Sequence, residues 1–311
     1  MSKEAWEKFY NENPPPSGLH NIEEQMKNFC NYHASKGNCV VLVTSGGTTV
    51  PLEHNTVRFV DNFSAGTRGA ASAEYFLKSG CAVIFMHRTK SLEPFVRHVS
   101  VSDLLDSLQP YESSDNSWKL EVQGSICNKL IQLTKAYKGI LAKNMLLKIQ
   151  FTTLSSYMHL LFLAAQAMKT LGKDAIFYLA AAVSDFYIPE QEMATHKISS
   201  DEPINLTLQL VPKVLQPLVR YWVPKAFVVS FKLETDDSIL VQKAKRALSR
   251  YGHKLVIGNE LNSRKEKVIF VTEEGERPIV ISKEDIERGS EIEEFIIKEL
   301  LDDYKKFKNC S

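Results

Sequence analysis

Residues 40–76 restrict the possible folds of this chain more than any other part of the sequence. A short apolar run at residues 40–43 ends in the turn Thr44-Ser45-Gly46-Gly47-Thr48. A second glycine-rich turn, at residues 62–69, leads directly into an alanine-rich helical pattern. A strand, glycine turns and a helix in close succession are typical of an α/β domain.

Both turns have the composition of a phosphate site. Glycine lets the backbone approach a ligand closely, and the start of a helix offers free N–H groups and the positive end of a dipole. The turns also contain hydroxyl donors: Ser45, Thr48, Ser64 and Thr67. We therefore expect the two turns to fold together as a cradle for phosphate oxygens, with two ordinary tight loops as the alternative.

The remaining sequence alternates between strand-like and helix-like segments. Strands are predicted at residues 39–44, 81–87, 147–152, 175–181, 226–233 and 254–257, and helices at 68–78, 126–147, 154–171, 238–251 and 290–307. This alternation is typical of an α/β fold with helices on both faces of a sheet. We expect a Rossmann-like, doubly wound, mostly parallel sheet with an added hairpin at residues 267–282. Residues 204–210 alternate apolar and polar side chains, which predicts a half-buried strand.

The domain organisation follows from local composition. Residues 1–20 are polar and contain Pro14-Pro15-Pro16, so we expect a flexible N-terminal arm. Residues 21–311 then form a single α/β domain, and residues 88–119 within it are expected to be irregular. The apolar fraction of 44% leaves ample material for one core.

Charge and cysteine usage exclude several classes of protein. The net charge is +1, so nothing indicates binding to nucleic acid. No apolar run approaches the roughly 18 residues that cross a bilayer, and the N-terminus lacks an apolar signal region, so we expect a cytoplasmic protein without a membrane segment. Five scattered cysteines and eight histidines without ligand spacing indicate a reducing compartment and no metal site.

Several candidate residues follow predicted strands. In open α/β sheets ligands bind beyond the carboxyl ends of the strands, so residues 45–48, 181–189, 233–236 and 258–263 are expected at one edge. Asp185 could accept hydrogen bonds from a polar substrate, or it could cap a turn. Phe231 could stack on a nucleobase, or it could belong to the core. Asn259 could bind the edge of an adenine or ribose, or it could cap a turn. Asn62 suits polarisation of a carbonyl group. Cations near predicted loops add candidate phosphate ligands: Arg58, Arg68, Lys197, Lys213 and Lys232.

Two common nucleotide signatures are absent from the sequence. It contains neither G-x-x-x-x-G-K-[ST] nor G-x-G-x-x-G. Arg88 follows the second predicted strand and would suit the 2′-phosphate of NADP. An NADP-dependent reductase is therefore the second hypothesis, and a catalytically inert protein that keeps the fold is the third.

An ordered set of motifs resembles the phosphopantothenoylcysteine synthetase family. The motifs are TSGGT (44–48), PLE (51–53), VRFVDNFSAGTRG (57–69), AAAVSDFY (180–187), HKI (196–198), VPK (211–213) and SFKLETD (230–236). The resemblance covers about residues 21–307 and is strongest with the stand-alone animal form of the enzyme. It implies that ATP, with Mg²⁺, activates 4′-phosphopantothenate as an acyl-adenylate, which L-cysteine attacks to give 4′-phospho-N-pantothenoylcysteine, AMP and pyrophosphate.

The resemblance also implies a role for individual residues. The ATP cradle would comprise Gly46, Gly47, Ser64, Gly66 and Gly69, with Phe231 and Asn259 at the nucleoside. Asn62 would hold the acyl carbonyl, and Ala181, Ala182 and Asp185 would form the pantothenate pocket. Arg58 would reach the substrate phosphate of a neighbouring subunit, which implies a homodimer, and Lys197 would lie in a loop that closes over the phosphates. Two departures stand out: Ala65 replaces a serine, and the loop of Lys197 has fewer lysines than in bacterial members.

Overall fold

A computed structural model describes residues 4–201 and 203–309 of the chain. The strands are β1 Val40–Ser45, β2 Thr49–Pro51, β3 Phe59–Asp61, β4 Ala82–Arg88, β5 Leu108–Glu112, β6 Trp118–Val122, β7 Leu146–Phe151, β8 Ala175–Leu179, β9 Phe186–Tyr187, β10 Gln209–Leu210, β11 Phe227–Glu234, β12 Leu255–Glu260, β13 Lys267–Thr272 and β14 Gly275–Val280. The helices are α1 Glu4–Glu12, α2 Leu19–Ala34, α3 Thr67–Lys78, α4 Val101–Ser107, α5 Cys127–Ala142, α6 Leu154–Met168, α7 Leu215–Pro217, α8 Asp237–Tyr251, α9 Lys283–Glu287 and α10 Ile292–Asn309. Short helical turns lie at Val96–His98, Lys169–Asp174, Glu190–Glu192 and Leu218–Trp222.

One eight-stranded sheet organises the chain, in the order β14-β13-β12-β11-β8-β1-β4-β7. The strands from β12 to β7 in this order are parallel, and the hairpin β13–β14 continues the sheet in antiparallel pairing. The prediction of a mostly parallel sheet with an added hairpin is confirmed. β1 lies at the centre of the parallel part, and all six of its residues are buried.

Helices cover both faces of the sheet, as a doubly wound fold requires. Successive residues of a strand point to opposite faces. Val40 and Leu42 pack in one apolar cluster with residues of α2 and α6. Val41 and Val43 pack in the other with residues of α3 and α10. The start of α3 therefore lies on one face, next to the carboxyl end of β1.

Two predictions of local structure are wrong. Residues 88–119, expected to be irregular, contain α4 and most of the hairpin β5–β6. The strands of this hairpin are almost entirely exposed, so their sequence does not alternate between buried apolar and exposed polar residues. Residues 204–210 contribute only the two exposed residues of β10 to a sheet. Their alternating leucines and isoleucine remain exposed, because β10 pairs with β9 outside the main sheet.

The predicted flexible arm is also wrong where the structure describes it. α1 places Trp6, Phe9 and Tyr10 on one face, and Phe9 is only 2% exposed. The Tyr10 hydroxyl donates a hydrogen bond of 2.8 Å to the Met158 carbonyl, and the ring of Trp6 packs edge-on against Trp222. Aromatic spacing typical of a helix therefore outweighs the polar composition of this segment. Residues 1–3 lie outside the described part.

Replacing Phe9 tests whether α1 belongs to the core. Phe9→Ala should lower the free energy of unfolding by about 3 kcal/mol, because it opens a cavity beside Tyr187. Lys8→Ala, in the same helix but with a side chain 71% exposed, should change stability little. Chemical denaturation measures both. Equal stability of Phe9→Ala and wild type would mean that α1 is a loose arm after all.

Candidate functional site

The two glycine-rich turns lie side by side at the carboxyl end of β1. Ser45 Oγ donates a hydrogen bond of 3.0 Å to the Gly66 carbonyl, and a Cβ atom at Gly69 would lie only 2.4 Å from Ser45 Oγ. A Cβ atom at Gly47 would lie 1.8 Å from the carbonyl oxygen of Asn62. Both approaches require glycine, because any side chain would collide with neighbouring atoms. The expectation that the two turns meet in one corner is confirmed.

The start of α3 opens into this corner. Gly66 is its N-cap residue, with a φ of +82°, and no side chain caps the helix there. The first N–H groups of a helix are left without partners inside the helix, and together with the dipole they favour an anion. The side chain of Thr67 is exposed and that of Ser64 half-buried beside this helix start.

The segment after β8 joins the same corner. The Ala182 N–H donates to the Gly46 carbonyl at 2.8 Å, and the Thr48 N–H donates to the Ala182 carbonyl at 3.1 Å. The Ser184 N–H donates to Thr48 Oγ1 at 3.0 Å. Ala181 and Ala182 are half-buried, so small side chains line this side of the corner.

The ends of β11 and β12 complete the predicted grouping. The Leu261 N–H donates to the Glu234 carbonyl at 3.0 Å, and both strands run parallel to β8. The carboxyl ends of β1, β8, β11 and β12 therefore share one edge of the sheet, as predicted.

Asn62 and Asp185 both lie close to the first glycine turn. The Asn62 N–H donates to the Thr48 carbonyl at 3.2 Å, which places this half-buried residue directly on the first glycine turn. The Asp185 side chain is exposed and forms an ion pair with Lys213, while its carbonyl accepts a hydrogen bond of 2.9 Å from the Val211 N–H. Lys213 is thus paired with an acid.

Glu53, the last residue of the motif PLE, is a buried carboxylate to which the sequence analysis assigned no role. It is fully buried, and it accepts hydrogen bonds from the Arg58 N–H and Arg58 Nε, both at 3.0 Å, and from the Val57 N–H at 3.3 Å. The Ile198 N–H approaches it at 3.4 Å, and Arg58 Nη2 donates to the Ile198 carbonyl. The signal available in the sequence was an acid directly after the apolar stretch Val50-Pro51-Leu52.

The Glu53 carboxylate therefore fixes two elements at once. It orients Arg58 on the hairpin β2–β3, and it holds the segment that contains the exposed Lys197. The same segment runs alongside the hairpin, where the His54 N–H donates to the Ala194 carbonyl at 2.9 Å. A cavity of about 700 Å³ adjoins this side, lined by residues that include Leu52 and Ile198.

Phe231 lies in the second half of β11 and Asn259 next to the end of β12, both on the α3 side of the corner. The half-buried ring of Phe231 packs edge-on against Tyr178, with 4.9 Å between centroids. Asn259 is buried, and its Oδ1 accepts a hydrogen bond of 3.2 Å from Arg68 Nη2. Its Nδ2 donates to the Lys232 carbonyl at 3.4 Å, so both ends of the amide have protein partners.

Arg88, the candidate for an NADP phosphate, has a different role. Its Nη1 donates to both carboxylate oxygens of Asp61 at 2.8 Å, so its charge is already compensated. Within residues 4–201 and 203–309, no three His, Cys, Asp or Glu side chains are grouped as ligands for a metal ion. Over the same residues, no helix combines the length and apolar character that crossing a bilayer demands.

The pH dependence of stability tests the role of Glu53. Hydrogen bonds from the Arg58 N–H, and further ones from Ile198 and Val57, lower the pKa of Glu53. Because the folded-state pKa is depressed, the stabilisation is complete above the usual glutamate pKa of about 4.3 and disappears as the pH falls through the folded-state value. Glu53→Gln should therefore be less stable than wild type at pH 7, and the two should converge in acid.

Thermal melts at a series of pH values measure this difference. Glu190→Gln, at a half-buried acid in the turn after β9, is a suitable control and should follow wild type throughout. A constant gap between Glu53→Gln and wild type from pH 7 down to acid would contradict the charged hydrogen-bonded role of Glu53.

Comparisons with known proteins agree with this geometry. The family described as the C-terminal domain of DNA/pantothenate metabolism flavoproteins matches residues 36–119 and 147–298. Phosphopantothenate–cysteine ligase of Homo sapiens is 45% identical over 289 residues, which covers 92% of this chain and 93% of the human one. The Saccharomyces cerevisiae ligase CAB2 is 40% identical over 324 residues, covering 97% of this chain and 86% of the yeast one.

A solved structure extends the similarity to three dimensions. A substituted form of Cab2 in complex with phosphopantothenate-cysteine superimposes with a TM-score of 0.88 at 40% identity, covering 97% of this chain and 98% of that chain. The likeness extends from the central sheet to nearly the whole length of both chains. The chain belongs to the phosphopantothenate–cysteine ligase family.

Proposed function

We propose that this chain is an ATP-dependent phosphopantothenate–cysteine ligase of coenzyme A synthesis. It joins 4′-phosphopantothenate and L-cysteine through an acyl-adenylate, and it releases AMP and pyrophosphate. One observation carries the proposal: a chain of this family brings two glycine turns and the open start of α3 into a single corner. A free carboxylate is a poor acylating agent, and attack on the α-phosphate of a nucleotide is what activates it.

The glycine corner supports the nucleotide half of the reaction. We assign the triphosphate to the backbone around Gly46 and Gly47 and to the helix start at Gly66 and Gly69, with Ser64 as a hydroxyl donor. Phe231 and Asn259 lie on the side where the nucleoside would extend. We also propose that Mg²⁺ accompanies the triphosphate. Phosphate oxygens and water molecules would supply most of the ligands of the ion.

The other side of the corner supports the acid. Asn62 lies against Gly47, so a carbonyl held by its amide would be next to the phosphates. Its amide stabilises developing negative charge without adding a fixed charge. Ala181 and Ala182 leave room for the pantothenate chain beside the corner, and Asp185 offers a carboxylate at its exposed end.

Arg58 and Lys197 would bind the phosphate groups from outside the corner. Glu53 holds the Arg58 guanidinium by Nε, and Nη2 donates to the Ile198 carbonyl. The Arg58 side chain is still 30% exposed, which suits an arginine that reaches a second subunit. Apolar side chains on the same hairpin and the following turn are exposed, among them Val57, Phe59 and Phe63, the last at 97%. An unpaired apolar surface of this kind supports a homodimer with shared sites.

A single α/β domain, whose core includes Phe9 of α1 as well as residues after position 21, and a cytoplasmic location complete the proposal. All eight strands of the main sheet come from residues 40–280, and α10 packs back onto it. Cys30, Cys39, Cys81 and Cys127 are free thiols, as in proteins of a reducing compartment. The reductase hypothesis is not favoured, because the similar proteins are ligases and Arg88 is paired with Asp61.

An assay of pyrophosphate release tests the reaction. With ATP, 4′-phosphopantothenate and L-cysteine together, the purified protein should release AMP and pyrophosphate and form the amide. Each nucleoside triphosphate is supplied in turn, and ATP should support the highest rate. Amide formation without cleavage of any nucleotide, or a change in nicotinamide absorbance with NADPH, would argue for another activity.

Asn62→Ala tests the proposed contact with the acyl carbonyl. Loss of a donor to a developing oxyanion should lower kcat by about 10²-fold with a smaller change in KM. Asn128→Ala, at an exposed position of α5, is the matched control and should keep wild-type kinetics. Unchanged turnover in Asn62→Ala would remove Asn62 from the mechanism.

Mixing two impaired variants tests whether the sites are shared. Arg58→Ala should raise the KM for 4′-phosphopantothenate more than that for ATP. If Arg58 and Asn62 of one site come from different subunits, a refolded mixture of Arg58→Ala and Asn62→Ala contains hybrid dimers with one intact site each. In an equal mixture about a quarter of the sites should then be active. No recovery from the mixture would mean that each subunit builds its site alone.

A further inference from the structure

Arg68 is a largely buried cation in the first turn of α3. Its Nη1 donates a hydrogen bond of 2.8 Å to Glu293 Oε1, and its Nη2 donates at 3.2 Å to Asn259 Oδ1 and also to the Arg264 carbonyl. The side chains of Arg68 and Glu293 are only 16% and 10% exposed. One guanidinium group therefore connects the start of α3, the end of β12, the loop that follows it and the first turn of α10.

Stability alone does not explain this arrangement. An arginine at the start of a helix opposes the helix dipole, and a buried ion pair often contributes no more stability than apolar side chains of the same size. Burial raises the pKa of Glu293, whereas the charge of Arg68 acts to lower it. Keeping this carboxylate charged in the fold therefore costs free energy. The connected residues point instead to a role in geometry, because Asn259 and the start of α3 are both parts of the proposed nucleotide site.

We propose that Arg68 and Glu293 are positioning residues, which hold the Asn259 amide and the first turn of α3 in the arrangement that binds the nucleotide. This inference rests on the proposed function of the site. Arg68 fixes which end of the Asn259 amide faces α3, since it can only donate and so selects Oδ1. Nδ2 is thereby directed towards the Lys232 carbonyl. Glu293 in turn holds Arg68 in place from α10.

A direct role of Arg68 is the competing possibility, and it predicts the opposite result. If Arg68 left Glu293 to contact a phosphate group, Glu293 would compete with the nucleotide for it. Neutralising Glu293 would then leave nucleotide binding unchanged or make it tighter. If Arg68 acts by position, neutralising Glu293 weakens nucleotide binding, since Arg68 loses the partner that orients it.

The chain contains a matched control for this pair two residues away. Glu291 accepts hydrogen bonds from Arg97 at 2.7 and 2.5 Å, and Arg97 Nε donates to Glu74 of α3 at 2.8 Å. This second network also links α3 to the chain that enters α10. Over the described residues, the hydrogen bonds of Arg97, Glu291 and Glu74 reach neither Asn259 nor the glycine corner, so this network shares the structural role without the proposed positioning role.

Steady-state kinetics of Glu293→Gln and Glu291→Gln separate the two roles. Glu293→Gln should raise the KM for ATP about tenfold, as for the loss of one charge-assisted hydrogen bond, and leave the KM for 4′-phosphopantothenate within twofold. Glu291→Gln should keep both KM values, even where thermal melting shows a similar loss of stability. In a double-mutant cycle, Glu293→Gln should add little to the KM effect of Asn259→Ala, because the first acts through the second.

Several outcomes would overturn the inference. They are an unchanged or lower KM for ATP in Glu293→Gln, equal effects of Glu293→Gln and Glu291→Gln, or full additivity with Asn259→Ala. If Glu293→Gln does not fold, Glu293→Asp, which keeps the charge but shortens the reach to Arg68, carries the same prediction. Wild type is assayed in parallel, so an inactive wild type refutes the proposed function, whereas an active wild type with unaffected variants refutes only the positioning role.

Discussion

The close approach of two backbone turns underlies the rest of this site. Gly47 lies so near to Asn62 that a Cβ atom would fall 1.8 Å from the Asn62 carbonyl oxygen, and a Cβ atom at Gly69 would fall 2.4 Å from Ser45 Oγ. These contacts bring the end of β1, the end of β3 and the start of α3 to one point. The N–H groups at a helix start, the amide of Asn62 and the alanines after β8 can act on one ligand only because no side chains separate these elements.

The position of the hairpin β2–β3 is fixed by this corner. Its first strand leaves the first glycine turn, and its second strand returns to the second turn, so both ends of the hairpin are anchored at the same place. Its far end carries Arg58 and would be free to bend. Glu53 prevents this by binding Arg58 and the Ile198 N–H from inside the fold. The glycine contacts thus anchor the hairpin at the corner, and the buried Glu53 carboxylate anchors its far end.

The parts of this structure that were predictable from sequence have strong local signals. Continuous apolar runs predicted β1 and β8, and glycine next to hydroxyl side chains predicted the corner at the carboxyl ends of the strands. The failures have a common physical cause. α1 looked polar because its apolar side chains are aromatic residues spaced for one helical face. Residues 204–210 looked half-buried, although their apolar side chains are exposed in the part of the chain that the structure describes. Periodicity indicates that a face exists, but only tertiary contacts decide whether that face is covered.

The charged residues that shape the site were less predictable still. Glu53 and Glu293 lie 240 residues apart in the chain, and each has an arginine partner that could not be assigned from spacing. Arg58 and Arg68 were both seen as candidate phosphate ligands, because exposed and paired arginines are identical in sequence. In the fold each guanidinium is tied to a buried acid, one on either side of the glycine corner. Since a paired guanidinium has fewer accessible orientations, the two ion pairs restrict the side chains on both flanks of the corner before any ligand arrives. A rigid cradle loses less conformational entropy when it binds a flexible triphosphate than a loose one would.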